Sequence, residues 1–404
     1  QTTPGAARHA TRRAGAGSAS CAAEGGKDAA LSADAASRRD AVQRTAAAAA
    51  AATVAGGVPQ PSEARSTRGP KAWEKIELGT EELIYDMVFD DADPKHGWIV
   101  GSRGTFYETF DAGKKWSPRS FAGLDPEEEI TYRFQSATLK NGEGWVIGKP
   151  PILLHTTDAG RSFERIPLSS KLPGEPLLIT SLGQGKAEMT TSSGAVYKTD
   201  NAGRNWKAQV KETIDATLNR VSSSGVQGAS YFTGNVVSVT RDSTGAYLAV
   251  SSRGNFYLTW QPGEEYWAPH NRGTSRRIQN MGFVKDSADK GLWMTLNGGI
   301  LQSTSAGTDI STDPQPFESA SINTGGYGLL DVAWRSDDEV WAVGGSNTLF
   351  LSKNGGKTWE YNGSAAQRET VGNLYRVRFF GPDKGFAFGS EGLLMRYVGL
   401  STDA

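Results

Sequence analysis

Cysteine is nearly absent from this chain of 404 residues: the one copy is Cys21. A single thiol cannot build a disulfide framework, nor a zinc or iron–sulfur site made of cysteines. Histidine is scarce as well. His9, His96, His155 and His270 show no HExxH or related ligand spacing, so neither a metal nor a cofactor is expected. No run of 18 strongly apolar residues occurs, which leaves no ordinary helical membrane span. An excess of one charge is also missing: 43 Lys and Arg against 44 Asp and Glu give a net charge of -1. That balance argues against a broad nucleic-acid footprint. Finally, residues 1–64 contain no Trp, Tyr or Phe, whereas all 11 Trp of the chain lie between Trp73 and Trp359.

A segment without aromatics cannot join the core that those tryptophans build, so 1–64 is set apart from the domain. It is rich in alanine, and its first part (Arg8, Arg12, Arg13, with Ser and Thr) is poor in acids, as in an organelle transit peptide. Then come Ser37-Arg38-Arg39-Asp40, a weakly apolar run from Thr45 to Val58, Pro59, Pro61 and the small-residue site Ser62-Glu63-Ala64. That order predicts a bipartite presequence, a transit peptide followed by a twin-arginine export signal. The address it spells is the thylakoid lumen of a plastid. Removing it leaves 65–404, which carries 36 basic and 39 acidic side chains and no cysteine.

What is abundant is repetition. A Gly-aromatic-aliphatic strand recurs at Trp98, Trp145, Glu188, Tyr247, Trp293, Trp341 and Phe386, seven copies of a unit near 47 residues. Period-2 strands with Gly, Asn and Asp turns surround each copy. Four short strands per unit make a propeller blade. The predicted fold is therefore all-β, a seven-bladed β-propeller with four-stranded antiparallel blades over about 73–398. Trp73-Glu74-Lys75-Ile76 is expected to pair with the last blade and close the ring. The one long spacing, between Glu188 and Tyr247, contains a polar segment at 213–234 that is read as either a functional loop or a long connection.

A second signature follows four of the repeats: Thr109 to Trp116, Thr156 to Phe163, Thr199 to Trp206 and Ser352 to Trp359. Each follows the Asp-box S/T-x-D-x-G-x-x-W, with Asn for Asp at 201 and 354 and Phe for Trp at 163. The Asp or Asn side chain accepts backbone N–H groups across a tight turn, and Gly supplies positive φ. The motif specifies a hairpin and no activity. It does raise a glycosidase as an alternative, because sialidases and some glycosidases share it; a generic lumenal propeller scaffold with another partner is the other alternative. The nearest approach to the sialidase Arg-Ile-Pro motif, Glu164-Arg165-Ile166-Pro167, lies after an Asp-box rather than ahead of the first one. Asp125, Glu127, Glu128 and Glu129 could supply paired carboxylates, but in an acidic run they read more simply as a solvated loop. His155 and His270 read as packing residues.

Arginines gather where blades begin: Arg133, Arg276, Arg277, Arg376 and Arg378, each 8 to 17 residues before its Gly-aromatic strand. Innermost strands line the channel, and their first residues emerge on one face. Arg220, Arg253 and Arg103 join the set by position. Guanidinium groups gathered on one face would dock carboxylates or an acidic peptide. The plain alternative is arginines paired with neighbouring Asp or Glu that hold blades together.

Several stretches resemble the photosystem II stability/assembly factor family of plastids and cyanobacteria. They are Tyr132 to Ser136, Gly144 to Pro150, Arg165 to Ser170, Ala216 to Arg220, Ser251 to Phe256 and Arg276 to Gly282. None is dictated by the Asp-box. The resemblance implies a non-enzymatic lumenal factor, peripheral to the thylakoid membrane, that binds newly made or precursor D1 and helps join it to D2 in early reaction-centre intermediates. It implies partner binding by Arg133, Arg220, Arg253, Arg276 and Arg277, with Arg103 on a shorter motif. Arg376 departs from the family pattern.

Overall fold

The computed structural model describes residues 72–121, 131–211, 213–214, 235–363 and 370–400. They form seven four-stranded antiparallel sheets, the blades of a β-propeller. The innermost strands are Ile84–Phe89, Arg133–Lys140, Pro176–Gly183, Val236–Arg241, Ile278–Phe283, Leu329–Trp334 and Leu374–Phe379, in blades 1 to 7. The seven Gly-aromatic repeats are the second strands, and most of their residues are buried because both faces of each sheet are covered by neighbouring blades. Five of the seven fourth strands are shorter than the expected four to six residues. Those of blades 1, 2, 3, 5 and 6 have only two residues in register, since the Asp-box and related turns use up the chain before them.

The ring closes as expected. Trp73–Ile76 pairs with Leu394–Tyr397 as the outermost strand of blade 7. Trp73 is fully buried and meets Trp341, Tyr397 and Phe379 at ring-centroid distances of 5.2, 5.3 and 6.0 Å. One edge of the propeller is thereby converted into an internal ladder.

Each Asp-box is built from its own side chains. Gly113 N–H donates to Thr109 Oγ1 (3.0 Å), Lys114 and Lys115 N–H groups donate to Asp111 Oδ1 (2.9 Å each), and Trp116 Nε1 donates to the Gly113 carbonyl (3.1 Å). Gly113 has φ +82°, and a Cβ there would lie 2.4 Å from Phe386 of the preceding blade. Glycine is thus required twice, for conformation and for space. Hydrogen bonds from the Ser162 hydroxyl and N–H, with that of Thr156, hold the Asp158 carboxyl far below the usual range.

The two domain histidines read as packing residues are so placed. His155 Nε2 lies 2.9 Å from Glu143, its ring stacked 3.9 Å from Trp145. His270 is fully buried, 2.7 Å from Thr259 Oγ1 and stacked on Tyr257. Desolvation lowers its pKa to about 4, opposed by Asp313, a backbone hydrogen bond with Thr312, and Asp309. The folded protein then resists protonation that the unfolded chain accepts at about 6.5, so stability falls as pH drops from about 6.5 to about 4. Asp331 acts in the opposite direction, because burial pushes it up to about 6. The informative readout is therefore a difference. The stability advantage of the parent over His270→Gln should shrink by roughly 3 kcal/mol between pH 6.5 and 4 in urea unfolding. Parallel curves for the two proteins would refute the assignment.

Candidate functional site

The topology fixes which residues share a face. Each innermost strand starts on one face of the disc, here the front, and ends on the rear. The second strand returns, so the turn between second and third strands is again at the front. The Asp-boxes join third and fourth strands and lie at the rear. Arg133 is the first residue of its innermost strand, and Arg276 and Arg277 immediately precede theirs. Arg103 and Arg253 sit in the turns after the second strands of blades 1 and 4, rather than within strands. All five are exposed. Arg220 lies outside the described residues, as do 215–234 of the polar segment and the acidic run Asp125, Glu127, Glu128 and Glu129.

The five fall into two groups, each across a blade boundary. Gly104 N–H donates to the Tyr132 carbonyl (2.6 Å), which sets Arg103 beside the start of blade 2 and Arg133. Ile278 N–H donates to the Gly254 carbonyl (2.9 Å), which sets Arg253 beside Arg276 and Arg277. Arg133 lies over the Tyr85 ring, 5.6 Å from its centroid. Arg276 Nη1 donates to the Asn297 carbonyl (3.0 Å). Arg103 is the partly neutralised member, with Nε 3.5 Å from Glu82. Glu81, Glu82 and Glu391 make the sector between blades 7 and 1 acidic, so the front face is bipolar.

Three cations escaped the sequence reading of this face. Lys149 is in register with Arg133 and lies 3.5 Å from Glu175. Arg165 ends the fourth strand of blade 2, 6.0 Å from the Tyr132 ring centroid. Arg272 follows the fourth strand of blade 4 and donates to the Gly254 carbonyl (3.2 Å). Fourth strands also end at the front, but ladders of two residues in blade 2 and four in blade 4 are too short for a periodic signal that would mark the position. Arg165 on an outermost strand is far along the sheet from the channel, unlike a substrate-carboxylate ligand at a propeller's centre.

Arg376 and Arg378 do not reach the front surface. Both line the channel, a cavity of ≈ 500 Å³ bounded by the innermost strands. Their strand has a bulge between Leu374 and Arg376, which turns the side chain of Arg376 to the channel instead of the face. Arg378 is 2.7 Å from Asp86, whose other oxygen accepts from Ser136 Oγ (3.0 Å) and Ala137 N–H (3.1 Å). Asp331 accepts from Val377 N–H at 2.9 Å. Burial, and then the neighbouring Arg378, lower the pKa of Arg376, while Asp331 and Asp86 oppose the shift. The channel carboxylates are thus tied to the next blade. No group of three or more His, Cys, Asp or Glu positioned to hold a metal occurs among the described residues.

A family model described as the photosynthesis system II assembly factor YCF48 matches residues 65–398. The chain belongs to this family. Photosystem II stability/assembly factor HCF136, chloroplastic, of Guillardia theta is 51% identical over 327 residues, 81% of this chain and 82% of that protein. Two solved YCF48 structures share the fold at high coverage. YCF48 from Cyanidioschyzon merolae has a TM-score of 0.75 at 49% identity, covering 81% of this chain and 98% of that one. A structure of YCF48 bound to D1 peptide has a TM-score of 0.69 at 40% identity, covering 81% and 97%. The resemblance drawn from the arginine-bearing stretches thus matches the family. In this YCF48-family propeller the Asp-boxes lie at the rear, and Arg133, Arg276 and Arg277 lie at the front.

Proposed function

We propose that this chain is a non-enzymatic photosystem II assembly factor that holds newly made or precursor D1 through the arginines of its front face. Arg103, Arg133, Arg220, Arg253, Arg276 and Arg277 are the contact residues. D1 so held would be presented to D2 in early reaction-centre intermediates. Residues 1–64 would direct the protein to the thylakoid lumen and be removed, leaving 65–404 peripheral to the membrane through protein contacts. The observation that carries the reading is the gathering of five exposed arginines on one face of a YCF48-family propeller. The YCF48 structure bound to D1 peptide supports the choice of partner. Chloroplastic relatives such as that of Guillardia theta support the compartment.

A rigid disc needs no ordering of its own to dock a flexible segment, which limits the entropic cost of binding. Exposed guanidinium groups give fast, salt-sensitive contacts, suited to a factor that must leave when later subunits arrive. A tagged chain recovered gently from thylakoids should bring D1 and D2 with it and release them as salt rises from about 0.05 to 0.5 M. Absence of D1, or retention unaffected by salt, would overturn the proposal.

A further inference from the structure

The innermost strands repeat one irregularity seven times. In every blade the register with the second strand slips near the start of the ladder, after its first pair in six blades and after its second in blade 2. The unpaired residues are Tyr85, Gln135, Leu177, Val237, Gln279, Leu330 and Tyr375. Each follows a buried apolar residue (Ile84, Phe134, Pro176, Val236, Ile278, Leu329 or Leu374) and precedes a channel-lining residue. Bulges re-aim side chains and are features of a fold rather than accidents. Seven at one level place these residues as a collar around the front mouth of the channel. Below it lies a polar tier that includes Asp86, Ser136, Ser238, Asn280, Asp331 and Arg376.

Five of the seven collar residues are apolar or aromatic, where a water-facing mouth would favour polar side chains. None is fully buried: Val237 is 55% and Tyr375 38% exposed. Neighbouring Tyr327 and Val371, which precede the innermost strands of blades 6 and 7 on the same face, are exposed too. Four of the seven large hydrophobics that are exposed among the described residues therefore lie in or just before the starts of innermost strands. The collar joins the cationic surface directly, since Arg133 lies over Tyr85.

We propose that this collar is an apolar seat at the channel mouth. Its occupant is an apolar side chain carried by the acidic protein segment that the arginines hold; this rests on the docking reading above. Charge complementarity selects the segment: carboxylates reach Arg133 on one side and Arg276 and Arg277 on the other, and the side chain between them enters the collar. The arginines supply attraction at a distance, and the collar supplies a contact that salt does not screen.

The test compares two variants of the full chain for binding to detergent-solubilised D1 across a salt series. Val237→Gln with Tyr375→Gln removes the apolar seat while using a residue the collar already contains at 135 and 279. Arg276→Glu with Arg277→Glu removes cations. The collar variant should bind about tenfold more weakly (~1.4 kcal/mol) with an unchanged salt dependence, whereas the arginine variant should lose salt dependence. A photo-crosslinker at 237 gives a second readout that does not depend on the double variant's stability, and should mark D1. Unchanged affinity of a folded collar variant, with no crosslink from 237, overturns the seat even if the arginine variant fails to bind. A weakened collar variant beside an unaffected arginine variant keeps the seat and sinks the arginine docking. No effect in either sinks both.

Discussion

Trp73→Ala should destabilise the propeller by about 3–5 kcal/mol, the loss expected when a fully buried large aromatic leaves a cavity. The strand it anchors, Trp73–Ile76, is short, and only four register pairs join it to Leu394–Tyr397. Its polar contribution is modest. The Glu74–Arg396 pair is partly exposed, and such pairs contribute at most about 1 kcal/mol. Packing must therefore carry the closure, and Trp73 touches three aromatic rings from three strands: Trp341, Phe379 and Tyr397. The same cluster holds two buried donors, Trp341 Nε1 and Tyr397 OH, on Glu339 Oε1 (2.8 and 2.9 Å). Removing Trp73 exposes this network and the edge of Leu394–Tyr397 together, so the loss should lie near the top of the range. Urea unfolding followed by tryptophan fluorescence measures it, with Phe110→Ala, at an exposed rear-face position, as the neutral control. A loss below about 1 kcal/mol would show that the ring is held by something other than this strand.

The blades were legible because every one carries a Gly-aromatic second strand and four carry an Asp-box as well. A Gly-aromatic second strand is buried on both faces, so its apolar run stands out. An Asp-box needs its Thr or Ser, Asp or Asn, and Gly at fixed spacing, since every one of those atoms bonds within the same turn. Blades 4, 5 and 7 lack the box and were found from the second strand alone. The collar was not legible. A bulge adds one residue to a strand, which shifts the apolar alternation by one and makes Tyr85, Val237 and Tyr375 look like inward residues of a regular strand. The same slip explains Arg376, whose place in sequence matches its neighbours near blade starts but whose side chain enters the channel. Lys149, Arg165 and Arg272 were missed for a third reason. They reach the front from second and fourth strands, a convergence set by the return of the chain across the sheet and not by local pattern.

Arg276→Glu with Arg277→Glu tests the central claim most directly. Both side chains are exposed at the front, and neither belongs to the apolar core, so the propeller should fold with an unchanged thermal midpoint. Two reversals change the local charge by four beside Arg253 and Arg272. An acidic segment would then meet repulsion where it met attraction, and the effect should be largest at low salt. Affinity for D1 should fall about 30- to 100-fold, or ~2–2.7 kcal/mol, with a flattened salt dependence. The paired reversal Asp91→Arg with Asp338→Arg, at exposed positions in the rear turns after the innermost strands of blades 1 and 6, should leave it unchanged. D1 binding by a folded Arg276→Glu, Arg277→Glu protein with the parent's affinity and salt dependence would contradict the account.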